Sequence, residues 1–183
     1  MTHFEFLMGL VGFVGAIAIS SVLVFWGSVA QRPNDFERPW FLLAITIGLV
    51  LNLIIHIGGI WGYRDVAFDM YYKVVILLLP VVFLTLSVTT FIPSTKTTSQ
   101  NLEAHYFTSA RYGYSFLAIT FVVSVLIDEL PGVVSLDMSW WLVGVSAFVV
   151  ALPGYFSSRI LHATVLLLYY VVTLIPLLLA PIL

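Results

Sequence analysis

The chain has 183 residues, 61% hydrophobic and 9% charged, with a mean hydropathy of +1.10 and a formal charge of −2. Soluble domains carry about 25% charged residues, so this composition belongs in lipid, and without a Lys/Arg cluster to neutralise phosphates nucleic acid is excluded as a partner. The absence of cysteine excludes disulfides, thiolate nucleophiles and Cys-ligated metal or iron–sulfur centres.

A hydrocarbon core about 30 Å thick needs roughly 20 helical residues to cross it. Six apolar runs qualify, at 5–28, 39–61, 71–92, 111–128, 138–157 and 160–182. They are apolar on all sides, which suits helices and not the alternating wall of a barrel. The expected fold class is all-α: a polytopic transmembrane helical bundle forming one integral membrane domain over residues 1–183.

The first run ends in "SVA" before Gln31, which resembles a signal-peptide cleavage site. It is nevertheless expected to be retained, because it lacks a positive n-region, carries Glu5 and exceeds a usual h-region. Gly12, Ala16 and Ser20 form a small-xxx-small series suited to close contact with another helix of this chain or with a second subunit, so the face is a candidate for homo-oligomer formation.

The second run, opened by Pro39, carries Asn52 and His56 one helical turn apart, with Gly48 and Gly59 on or near their face. An ionisable residue within a span marks a candidate site, and the simpler alternative is that both residues hydrogen-bond a neighbouring helix. Arg64 and Asp65 close the run and are candidates for the outer mouth of a pathway. In the third run, Pro80 should free a carbonyl and kink the helix, marking either a hinge or a packing bend.

Residues 93–110 form the longest polar loop. Ser94 to Gln100 is a Ser/Thr-rich linker; from Asn101, a potential helix cap, the pattern suits an amphipathic approach to the fourth run, with Tyr106, Arg111, Tyr112 and Tyr114 anchored at the headgroups. Glu103, His105 and Arg111 are a candidate cytoplasmic-face site. "RPWFLLAITIG" and "SWWLVGVSAF" echo each other weakly, each preceding an Arg and then a Pro, as an inverted repeat would.

Loops one, three and five hold Arg32, Arg38, Lys96, Arg111 and Arg159, whereas loops two and four hold only Arg64 and Lys73. Five basic residues against two put the odd loops in the cytoplasm and both termini outside, in the cell (inner) membrane. Trp26, Trp40, Trp61, Trp140 and Trp141 lie near run ends, where indole rings settle.

The segments "EAHYFTSARYGYSFLAI", "WGYRD" and "SRILHATVLLLYY" give the chain a resemblance to a group of small, uncharacterised bacterial six-helix integral membrane proteins. The specific part is Glu103, His105, Tyr106, Phe107 and Arg111. The group's paired basic residues are replaced here by "SARYGY". The resemblance implies the six-helix fold and a bacterial origin, and no activity.

No Walker loop, HExxH, GxSxG or carboxylate pair within a span is present, so the reading leans away from an enzyme. The histidines His3, His56, His105 and His162 fall at depths that one iron could not join, so no cofactor, haem included, and no metal is expected. The functional expectation is a small channel or transporter for an ion or small solute; the alternative is a non-transporting accessory, sensor or scaffold subunit.

Overall fold

The computed structural model describes residues 2–32, 36–37, 40–64, 71–93, 100–128 and 140–179. Among them are six helices: α1 (His3–Gln31), α2 (Trp40–Ile60), α3 (Tyr71–Phe91), α4 (Leu102–Asp128), α5 (Trp140–Ala151) and α6 (Arg159–Leu179). Short 3₁₀ turns follow α2 (Trp61–Tyr63) and α5 (Leu152–Gly154). Three helical segments, His3–Gln31, Trp40–Tyr63 and Tyr72–Phe91, are long and apolar enough to cross a membrane.

Local signals start the helices. Thr2 and Glu5 form a reciprocal capping box on α1, satisfying two otherwise unbonded N–H groups. Asn101 Oδ1 accepts the Ala104 N–H at 2.9 Å, so α4 begins nine residues before the apolar run at 111 and takes up half of the polar segment 93–110. At 12 residues α5 is shorter than the run at 138–157 suggested. It extends only about 18 Å and gives way to the Pro153-containing turn. Residues 129–139 lie outside the described residues.

Contacts give the helix directions. Trp26 Nε1 donates to Thr46 Oγ1 at 3.0 Å, while Phe4 packs edge-on against Trp61, so α1 and α2 are antiparallel. Ser87 Oγ donates to the Gly113 carbonyl at 2.8 Å, and Phe83 and Phe91 meet Phe116 and Tyr106, so α3 and α4 are antiparallel. Phe41 meets Tyr106 and His162, while farther along α2 Gly48 meets Tyr169 and His56 meets Ser124. Hence α2, α4 and α6 run the same way. The loops joining α1–α2, α3–α4 and α5–α6 therefore share one end of the bundle, here the odd-loop end. A two-residue parallel pairing of β1 (Phe36–Glu37) with β2 (Gln100–Asn101) ties two of those loops together.

Helix α3 lies against α1, α2 and α4. Close approach is permitted by two glycines. A Cβ on Gly113 would enter the Phe91 ring, and one on Gly154 would lie 3.1 Å from the Arg111 Cα, so the turn after α5 rests directly on the α4 backbone. On α1 the buried stripe is Phe4, Leu7, Val11, Gly15, Ala18, Val22 and Phe25. Gly12, Ala16 and Ser20 face outward, away from the other helices of the chain.

Candidate functional site

Polar side chains collect where α2, α4 and α6 meet. At the odd-loop end Arg159 Nε sits 2.7 Å from Glu103 Oε1, the arginine side chain 63% exposed and the glutamate 10%. Three residues farther along each helix lie His162 and Tyr106, both fully buried. Tyr106 Oη is 2.7 Å from His162 Nδ1 and 2.7 Å from Tyr114 Oη, and His162 Nε2 is 2.9 Å from the Phe156 carbonyl.

These distances set the direction of the chain. A carbonyl only accepts, so His162 Nε2 carries a proton and, in the neutral ring, Nδ1 is the acceptor. Tyr106 must then donate to His162, leaving its oxygen to accept from Tyr114. Burial pushes the Tyr106 hydroxyl above the usual phenol value, partly opposed by its bond to Tyr114, which keeps the donor protonated. Stacking fixes the rings: Tyr106 lies on both Phe41 and Phe91, at 5.4 and 5.7 Å between centroids, and Phe107 meets His162 at 4.8 Å.

Deeper along α2, Tyr170 donates to the Ala44 carbonyl at 2.6 Å and Tyr169 to the Gly48 carbonyl at 3.2 Å, an approach that Gly48 allows because a Cβ there would meet the Tyr169 ring at 2.8 Å. The Asn52 side chain faces the Tyr169 hydroxyl, and Asn52 Oδ1 is buried with no hydrogen-bond partner. A buried orphan acceptor of this kind costs about 1–3 kcal/mol. One turn on, His56 Nδ1 lies 3.2 Å from the Asn52 carbonyl and Nε2 3.2 Å from Ser124 Oγ, which itself donates to the Thr120 carbonyl at 2.8 Å. The Asn52 carbonyl fixes the proton on Nδ1. Ser124 then has one proton for two acceptors, His56 Nε2 and Thr120 O, whereas a proton on each ring nitrogen would satisfy the whole set.

The residues singled out in the sequence thus separate into groups. Asn52 and His56 share this interface, while Gly59 has open space around it. Pro80 is buried within α3. Arg64 is exposed in the turn after α2, its N–H bonded to the Trp61 carbonyl; Asp65 lies outside the described residues. Glu103, His105 and Arg111 do not converge. Glu103 pairs with Arg159, His105 Nε2 donates to the Phe91 carbonyl at 3.1 Å, and Arg111 lies 5.9 Å over the Tyr155 ring. Burial lowers the His105 pKa, partly offset by that carbonyl bond.

Tyr106 and Tyr114, expected as headgroup anchors, are buried, whereas Tyr112 and Arg111 between them are exposed. The signal was present in the stripe Leu102, Tyr106, Ala110, Gly113, Tyr114 and Leu117, which repeats at helical spacing with small residues where α3 and the Gly154 turn approach. His162, weighed in the sequence as one of four histidines that could not share an iron, is the centre of the buried network.

Ser124 lies 18 residues beyond Tyr106 on α4, so His56 and His162 are separated by about 27 Å along that helix. Among the described residues no three His, Asp or Glu side chains gather as metal ligands. No family model, no curated protein and no solved structure matches the chain.

Proposed function

We propose that the chain is a multi-pass membrane protein whose helices are embedded in the bilayer with the odd loops in the cytoplasm, α5 being too short to cross as a helix alone, and that it is a small channel or transporter for an ion or small solute. The observation that carries this reading is the file of polar groups at the α2/α4/α6 interface: Glu103 with Arg159, Tyr106 with His162, Tyr114, Asn52 with Tyr169, and His56 with Ser124. From Glu103 to Ser124 the file follows 21 residues of α4, about 31 Å, from the polar segment at the odd-loop end into the apolar fourth run. Buried hydrogen-bonding groups are costly in lipid, and their alignment along one interface supports a pathway over scattered interhelical bonds.

A second reading, a non-transporting accessory or scaffold subunit, is favoured by the rings of Phe41, Phe91, Tyr106 and Phe107, which fill the same interface at the odd-loop end. A homo-oligomer through the outward Gly12, Ala16, Ser20 face belongs equally to both readings. Flux of a broad panel of ions and small solutes into liposomes carrying the purified chain decides between them. Flux reduced by His56→Gln is the expected outcome. Inactivity over the whole panel, with the protein monodisperse and inserted, would leave the scaffold reading.

A further inference from the structure

Beyond the Glu103–Arg159 pair, the odd-loop half of the file holds three groups that both give and take hydrogen bonds, joined at 2.7 Å: the Tyr114 hydroxyl, the Tyr106 hydroxyl and the His162 imidazole. A metal cation in transit needs about six oxygen ligands, and an anion needs free donors. Here stacked rings occupy the surrounding space, and both phenolic protons are committed along the chain. What such a chain can pass without widening is a proton.

We propose that the species carried is the proton, and that Tyr114, Tyr106 and His162 form an oriented relay delivering it to the odd-loop surface at Phe156. The proposal rests on the transport reading above and names its substrate. In one transfer a proton arrives at the Tyr114 oxygen, Tyr114 passes its own proton to Tyr106, and Tyr106 passes its own to His162 Nδ1. The ring releases the Nε2 proton beside the Phe156 carbonyl, in the exposed segment 155–158. One proton enters, one leaves, every O–H is regenerated and no electron moves. Rotation of the two hydroxyls and a change of imidazole tautomer reset the chain.

The groups facing the relay are compatible with that passage. From α4 come Glu103 and His105, each already bonded; from α6 comes Arg159, held by Glu103; from α2 and α3 come the uncharged rings of Phe41 and Phe91. The Arg159–Glu103 pair places compensating charges one turn from the exit, so a proton leaving His162 meets no unbalanced cation. The Tyr114 hydroxyl is bonded to Tyr106 and the Tyr169 hydroxyl to the Gly48 carbonyl, so the relay as hydrogen-bonded begins at Tyr114.

The test is proton flux into liposomes, read with an enclosed pH dye under a potassium diffusion potential, for the full chain and for Tyr106→Phe. The variant keeps the stacked ring and removes only the hydroxyl. The expected result is parental proton flux and a loss of at least about tenfold in Tyr106→Phe, proton-transfer groups being worth that much or more, with unchanged elution and melting. Unchanged proton flux in a well-folded Tyr106→Phe overturns the relay. Flux of sodium, potassium or a neutral solute without proton flux overturns the proton assignment and leaves the transport reading standing; no flux of anything removes both. Should Tyr106→Phe fail to assemble, Tyr114→Phe, which breaks the same chain one link deeper, is judged by the same criteria.

Discussion

His105 donates to the Phe91 carbonyl from a half-buried position, and burial holds its pKa below the ordinary value of 6.5. The unfolded chain therefore binds the proton first on acidification. The stability contributed by neutral His105 is complete above about pH 6.5 and is lost as pH falls from there through the lowered folded value. Melting temperatures of the detergent-solubilised protein should drop between pH 7.5 and 5 by more in the parent than in His105→Gln, which keeps a donor for the carbonyl but does not titrate. Equal slopes would show that His105 is not linked to folding. Gly113 makes a second residue-level claim. Its missing Cβ is the space taken by the Phe91 ring, so Gly113→Ala should cost about 1–3 kcal/mol through overpacking, measured by denaturant unfolding in micelles. A smaller ring position, Phe91→Leu, should recover part of that loss.

At the scale of elements, α4 joins the two polar regions, and its length depends on its first turn. With Asn101 as cap the helix starts at Leu102 and carries Glu103, Tyr106 and Tyr114 on one rigid rod. Asn101→Ala should cost about 1 kcal/mol, and hydrogen exchange should quicken at the Ala104 amide while the amides around Ser124 keep their protection. The cap was legible from Asn101 and Glu103, and the helices themselves from apolar runs and prolines. The inward face of α4 was not. Tyr106, Tyr112 and Tyr114 are chemically alike, and the interfacial preference of tyrosine describes all three; only the partners at Phe91 and Gly154, remote in sequence, send two inward and one out. Likewise, Arg159 and His162 read as the end of a loop and the start of a span. Their pairing with Glu103 and Tyr106 depends on the start of α6 meeting the start of α4, which no local pattern states.

For the whole molecule, the alternating helix directions put Ser157, exposed between α5 and α6, at the opposite end from Gly62, exposed after α2. The chain has no cysteine of its own, so Ser157→Cys and Gly62→Cys give clean single-site probes. Ser157→Cys should react with a membrane-impermeant maleimide only from the cytoplasmic side and Gly62→Cys only from the outer side. The reverse pattern would invert the orientation drawn from the basic residues. The parallel course of α2, α4 and α6 has a further, electrical consequence. Each helix carries about half a positive charge at its N-terminus and half a negative charge at its C-terminus. Across the six helices these dipoles oppose one another, but the interface holding the polar groups is bounded by three that point the same way. A cation there is repelled from the Tyr106–His162 end and drawn toward the His56–Ser124 end, even with no voltage applied. On the transport reading the path is therefore electrically asymmetric, and flux of positive charge through it under equal and opposite membrane potentials should be unequal.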